Sequence, residues 1–366
     1  MSRNRFSTVT LEAVLSLLIV LIFLASACAP TIVKPLLPTP RGMVNSVLGP
    51  ISLDQIGQTL VHEHFVFAYP GWYADESLAP YNREEALQTN LEVIKTAKAV
   101  GINTIIDATT NDVGGRDPEL YKELAKKTGF NIICSTGLYT EHEGAPGYFK
   151  TRMPLGKDIA KMISELFIKE ITVGIGNTGV KAGVIKVGTG GKISPYEEAV
   201  LKAAVIAQKA TGVPIITHTD GPSGGVEQAE IFIREGADLK KVMIGHVSNS
   251  KDIEYHKAIL AKGVSIAFDR LGLALFNQDS INVKNITELC KQGFARKIML
   301  SHDTCNFWLG RPLPADAPAQ VVQLLSKWRI DHVSSDIIPA LKQQGVTDEQ
   351  IKAMIVDNPK NLFQGK

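Results

Sequence analysis

The chain has 366 residues, 45% of them hydrophobic and 21% charged, which excludes a disordered or fibrous protein and leaves room for one large domain or two ordinary ones. Its formal net charge of +2 comes from 39 basic and 37 acidic residues interspersed along the sequence, so nothing predicts a nucleic-acid partner. Small, neutral or weakly charged molecules fit this balance better.

In chain order, the first element stands apart from the fold. Arg3 and Arg5 precede an almost wholly apolar run from Ala13 to Ala25, and Ala25-Ser26-Ala27 supplies the small residues of an export cleavage site. The run is shorter than the roughly 20 residues of a spanning helix, so residues 1–27 read as a signal peptide. Leu24-Ala-Ser-Ala-Cys28 resembles a bacterial lipoprotein box, in which the cysteine is lipidated and becomes the new N-terminus. Ordinary cleavage after Ala27 is the alternative, because the leucine stands one place further out than usual. The expectation is an exported, cell-envelope lipoprotein, otherwise periplasmic or secreted, that meets a membrane only through its N-terminal lipid. Pro30, Pro35, Pro38 and Pro40 then favour an extended tether, assigned to residues 28–46, ahead of a single domain over residues 47–366. The remaining cysteines, Cys134, Cys290 and Cys305, make no paired framework and read as buried thiols.

From Gly49 onward one rhythm repeats: a short β-branched run, a polar turn, an amphipathic helix. The eight runs are Gln58–Phe65, Asn103–Ala108, Asn131–Gly137, Gly183–Val187, Pro214–Thr219, Val242–His246, Val264–Phe268 and Lys297–Ser301. Helical patterns between them include Arg83–Ala99, Pro118–Lys127, Pro195–Ala210, Val226–Glu235 and Ile286–Gln292. Alternating strands and helices imply parallel pairing, and eight units let the sheet close, so the fold class is α/β, a (β/α)8 TIM barrel. A doubly wound open sheet would advertise a glycine-rich phosphate turn after its first strand, and none is there; Gly188-Thr-Gly-Gly191 lacks the spacing and reads as a tight turn.

Polar residues gather at the C-terminal ends of these strands, where barrels build their sites. His62 and His64 are two apart on the first strand, so both imidazoles point the same way. His218 ends the fifth strand, His246 the sixth, and Asp303 follows the eighth. A single such histidine is more often structural, but four of the chain's eight at strand ends point to a metal site. Lys186 closes the fourth strand inside an apolar run, where burial disfavours its ammonium. A neutral amine there can take up carbon dioxide as a carbamate and bridge two cations; a lysine reaching solvent at the rim is the alternative.

The ordered set Gly49-Pro-Ile, Thr59-Leu-Val-His-Glu-His64, Gly115-Arg-Asp117, Thr136-Gly-Leu-Tyr139, Ala182-Gly-Val-Ile-Lys-Val187, Thr217-His-Thr219, Ile244-Gly-His246 and Ser301-His-Asp303 resembles the phosphotriesterase family of the amidohydrolase superfamily, including its lactonase branch. The resemblance runs from about Val47 to Phe363. It implies two divalent metal ions, zinc first with cobalt, manganese or iron as alternatives. His62, His64 and Asp303 would hold the more buried ion, His218 and His246 the more exposed one, and carboxylated Lys186 would bridge them together with a hydroxide. Asp303 is then the catalytic residue that receives the hydroxide proton and returns it to the leaving group. A homodimer is implied as well.

Substrate choice turns on departures. Where true phosphotriesterases carry His after the Asp of the seventh strand motif, this chain reads Phe268-Asp-Arg-Leu-Gly272, and Tyr139 stands where they have Trp. Tyr139 and Arg270 are therefore the candidate substrate-binding residues and resemble the lactonase branch, with a surface salt bridge the alternative for Arg270. The long connection from Cys305 to Trp328, with Phe307, Trp308, Leu309, Pro312 and Leu313, suits an apolar lid over an acyl chain. Core packing is the competing account of Trp328. His302 is a pocket residue or a strand neighbour facing away. The resulting expectation is a lactonase acting on substrates such as N-acyl-homoserine lactones, with promiscuous hydrolysis of organophosphate triesters. A dedicated phosphotriesterase is the first alternative, and a non-catalytic metal- or solute-binding lipoprotein is an alternative of another class.

Overall fold

A computed structural model describes residues 40–311 and 318–366. The signal peptide, Cys28, most of the tether, and Pro312 and Leu313 of the lid lie outside the described residues. Of the tether's end, Met43–Ser46 is a strand (β1) that pairs antiparallel with Gly49–Ser52 (β2). This hairpin packs on the barrel, with Val47 N bonded to Ile132 O.

Eight further strands form one all-parallel sheet in sequential order: Thr59–Glu63 (β3), Thr104–Asp107 (β4), Asn131–Leu138 (β5), Val184–Thr189 (β6), Ile215–Thr219 (β7), Val242–Ile244 (β8), Ser265–Phe268 (β9) and Ile298–Leu300 (β10). Each falls on one of the eight runs read from the sequence. The barrel closes just above β3 and β10. His64 N donates to Thr304 O at 2.8 Å, Asp303 N to His62 O at 3.0 Å, and Phe67 pairs with Trp308.

Helices follow the strands on the outside: Arg83–Ala99 (α1), Pro118–Thr128 (α2), Ile159–Thr172 (α3), Pro195–Thr211 (α4), Gly225–Arg234 (α5), Ile253–Leu260 (α6) and Asp279–Lys291 (α7). Their starts are written in the chain. Asn82 caps α1, Asp117 caps α2 ahead of Pro118, and Ser194 with Glu197 forms a capping box on α4. Helix α7 begins seven residues before Ile286. Its first turns are hidden from a hydrophobic pattern because Asn282 and Asn285 are buried there, held by Asn277 and the Lys251 carbonyl.

The barrel interior explains where the polar residues stand. Val184, Ile216, Ala267 and Met299 belong to one buried apolar cluster inside the sheet. Strand side chains repeat every two residues, so the next inward positions are Lys186, His218, Asp269 and Ser301. An apolar plug below is thus topped by a polar layer one pleat higher. Gly137 makes the layer possible: its φ is +155°, and a Cβ there would lie 1.6 Å from the Lys186 carbonyl oxygen.

Candidate metal centre

Every expected ligand is buried at the top of the barrel: His62, His64, Lys186, His218, His246 and Asp303 are each less than a tenth exposed. The four imidazoles share one arrangement. Each anchors its Nδ1 on a neighbour: His62 on Asp269 Oδ2 (2.8 Å), His64 on Thr109 Oγ1 (2.8 Å), His218 on the Tyr139 hydroxyl (3.2 Å) and His246 on Asp269 Oδ1 (3.1 Å). The Nε2 atoms of His62 and His64 converge on Asp303 Oδ1, at 3.2 and 3.1 Å. Those of His218 and His246 are buried with no hydrogen-bond partner. A buried polar atom left unpaired is costly, so two such nitrogens facing one polar layer mark a place built for a ligand.

Lys186 lies at the centre. Its Nζ is 2.9 Å from His62 Nε2 and donates to the Thr217 carbonyl at 3.3 Å. Burial pushes its ammonium down to about 8, and the alternative of a solvent-reaching lysine is excluded by its 1% exposure. Burial likewise pushes His246 down to about 3, with Arg270 adding repulsion, and puts His218 well below the ordinary value. Neutral imidazoles are the form that binds metal. For Asp303 burial works the other way, yet its close neighbours His62, His246 and Arg270 hold its carboxyl well below the usual range.

Strain gathers in the same place. Among described residues His246 (φ +57°) and Asp303 (φ +58°) are the non-glycine positions in the left-handed region. Such conformations cost about 1–3 kcal/mol each and persist where the surroundings fix them.

Three residues not singled out from the sequence complete the site. Asp269 is fully buried, receives His246 N at 2.6 Å, and orients both His62 and His246. Its carboxylate grouping with these histidines uses their Nδ1 atoms, so it orients ligands and leaves the Nε2 atoms free. Thr109 does the same for His64. Glu63, between the two histidines of β3, accepts hydrogen bonds from Ser301, His302 and Thr304 and binds the β10 end to the β3 end. His302 faces away: Nδ1 bonds to Glu63 and Nε2 accepts from Val333 N.

Of the substrate candidates, Tyr139 reaches the site through its hydroxyl on His218. Arg270 is no surface ion pair. It is 8% exposed, its Nε donates to Asp303 Oδ2 at 2.9 Å, and its guanidinium lies 4.2 Å from the Phe276 ring centre. Trp328 donates its indole N–H to the His302 carbonyl at 3.0 Å, tying the loop after Asp303 to the rim. Trp308 is 42% exposed beside Phe67 and Tyr69. Cys134 and Cys290 are buried as expected, whereas Cys305 is partly exposed.

The donor set of imidazoles, one carboxylate and a buried amine fits divalent cations, and the atoms of His62, His64 and Asp303 already lie within 4.8 Å of one another. Comparison with known proteins agrees. Residues 42–363 match the phosphotriesterase family. The aryldialkylphosphatase of Saccharolobus solfataricus is 37% identical over 317 residues, covering 86% of this chain and 96% of that protein. The solved organophosphorus hydrolase of Deinococcus radiodurans superimposes with a TM-score of 0.85 at 40% identity, covering 90% of this chain and 100% of its own. A mutant of a PTE-like lactonase from the same organism gives 0.85 at 40%, covering 87% and 99%. The chain belongs to the phosphotriesterase family and is a metal-dependent ester hydrolase.

Proposed function

We propose that this hydrolase opens lactones, N-acyl-homoserine lactones among them, using two divalent cations, zinc first, and that it hydrolyses organophosphate triesters as a side activity. One observation carries the reading: four histidines anchored by Nδ1 present four Nε2 atoms around Lys186 and Asp303. His62, His64 and Asp303 would hold one cation and His218 and His246 the other, with carboxylated Lys186 shared between them. When bound, such cations acidify water and polarise a carbonyl or phosphoryl oxygen.

The chain's own residues supply the rest. Asp303 accepts the proton of the attacking water; as the ring C–O bond breaks it returns that proton to the leaving oxygen, giving a hydroxy acid. Arg270, bonded to Oδ2, fixes the rotation of that carboxylate. Burial raises the Tyr139 phenol well above its ordinary value, so it stays a proton donor at the mouth of the site. These two side chains favour the lactonase reading, because both reach the site at the positions where the lactonase branch departs from the phosphotriesterases. The kinship with a Deinococcus lactonase supports it. A dedicated phosphotriesterase is the second reading, supported by the Saccharolobus aryldialkylphosphatase. The leader sequence supports export with an N-terminal lipid, and the family resemblance supports a homodimer. Comparing kcat/KM on a lactone panel and on a triester, with signal-free protein refilled with one metal at a time, tests the choice. Lactones ahead by orders of magnitude are expected; triesters ahead would reverse the assignment.

A further inference from the structure

The cations that look scattered in the sequence are sorted by the fold. Each of α1 to α7 carries a lysine or arginine in its last turn, and six of the seven carry Asp or Glu in the first. Such placement favours each helix against its own dipole. In a barrel all seven helices run the same way, so the local preference adds up to a global one. Helix ends lead into strand starts: α1 stops at Ala99 ahead of Thr104, α4 at Thr211 ahead of Ile215, α6 at Leu260 ahead of Ser265. The basic turns therefore ring the end of the barrel where the strands begin, opposite the metal centre. Lys240, Lys241, Arg296 and Lys297, in the short 3-10 turns before β8 and β10, join that ring.

Much of this charge meets carbonyls and not carboxylates. Lys98 Nζ donates to Thr128 O (2.9 Å), Lys209 to Glu235 O (2.6 Å), Lys241 to Gly212 O (2.6 Å) and Lys297 to Gly263 O (3.3 Å). Carbonyls satisfy the donors and leave the positive charge standing. Acids offset part of the ring: Arg234 pairs with Glu198 and Glu235, Lys257 with Glu254, Lys127 with Glu123 and Lys360 with Asp54, and Asp238 lies near Lys241. The described chain also begins here. Pro40 and Arg41 line a hollow with Gly183 and Pro214, which directly precede β6 and β7, and with Lys241 and Lys366.

We infer that this basic face docks on an anionic phospholipid bilayer. Two independent features select that occupant: the cations gathered on one face, and the entry of the chain at the same face from the segment that bears Cys28 of the lipoprotein box. The metal centre then opens away from the bilayer, a strand length of about 20 Å beyond the docking face. Lipidation of Cys28 strengthens the attachment without being required by it, since the charge lies on the barrel itself.

The test is lysine acetylation of the full chain bound to vesicles, read residue by residue by mass spectrometry. On phosphatidylglycerol-containing vesicles Lys209, Lys240, Lys241 and Lys297 are modified at least about tenfold more slowly than on phosphatidylcholine vesicles, and high salt removes the difference. Lys192, beyond the opposite end of β6, reacts equally on both. The variant K209Q/K240Q/K241Q/K297Q keeps lactone hydrolysis and loses affinity for the anionic vesicles by about fivefold per lysine removed. Equal labelling on the two vesicle types overturns the proposal, as does protection of Lys192 instead. Stronger protection by a duplex DNA probe than by anionic vesicles assigns the face to a different polyanion and overturns it too.

Discussion

Asp269 lies between His62 and His246 and accepts from the Nδ1 of both, at 2.8 and 3.1 Å through separate oxygens. One carboxylate thus fixes the rotation of a histidine assigned to each cation. Carboxylates that orient metal-binding histidines typically change metal affinity or activity by about 10–100-fold when replaced. Asp269→Asn is expected to lose metal affinity by that factor, at both sites together. Calorimetric titration of the metal-stripped protein checks it, and a loss confined to one site would assign Asp269 to a single histidine.

Arg270 and Asp303 form a buried pair with side chains 9% and 11% exposed. Arg270→Ala leaves the carboxylate free to rotate, and kcat on a lactone is expected to fall about 10–100-fold with a smaller change in KM. Arg270→Lys restores charge without the planar fork and should recover only part of the rate. A variant with unchanged kcat and raised KM would show that Arg270 binds substrate instead.

Tyr139→Phe removes the hydroxyl on His218 and nothing else. The expected loss is about tenfold in kcat/KM on lactones, with less on a triester. Steady-state kinetics on both substrates decide it; equal losses would count against a role in telling the two apart.

Fold stability has a different dependence. Arg116 grips Glu170 in two hydrogen bonds, at 2.7 and 2.9 Å, with side chains 13% and 7% exposed. Burial opposes the Glu170 charge, but Arg116 holds its carboxyl below the ordinary 4.5. A depressed value in the folded state means that the contribution is present above pH 4.5 and is lost as pH falls through the folded value. Arg116→Ala strands a buried carboxylate and should cost about 3–5 kcal/mol. Denaturant melts between about pH 7 and pH 3 test both statements: Arg116→Ala should be less stable at neutral pH and show a shallower loss on acidification.

The strands and the polar residues that gather at the top of the barrel were legible because both are local. Alternation and β-branched runs marked β3 to β10, and the six polar residues stood out because each lies at or just beyond a strand end. Asp269, Thr109 and Glu63 were not legible in the same way. Each is an ordinary polar residue beside a strand end, and its role comes from a partner far off in the chain: His62 for Asp269, His64 for Thr109, Ser301 and Thr304 for Glu63. Arg270 shows the same limit. Its sequence suited a surface ion pair as well as a site residue, and only the turn after β9 brings it onto Asp303. The sorting of lysines to one end of the barrel is a third case, invisible until the helices are seen to run in one direction.

The account rests most heavily on Lys186, whose Nζ is 2.9 Å from His62 Nε2 at the centre of the polar layer. Metal content of purified Lys186→Ala, measured by elemental analysis beside its lactonase rate, tests it most directly. Loss of most bound metal and of activity, with partial recovery on adding a short carboxylic acid that replaces the carbamate, is the expected result. Full metal content and an undiminished rate in Lys186→Ala would contradict the two-cation centre.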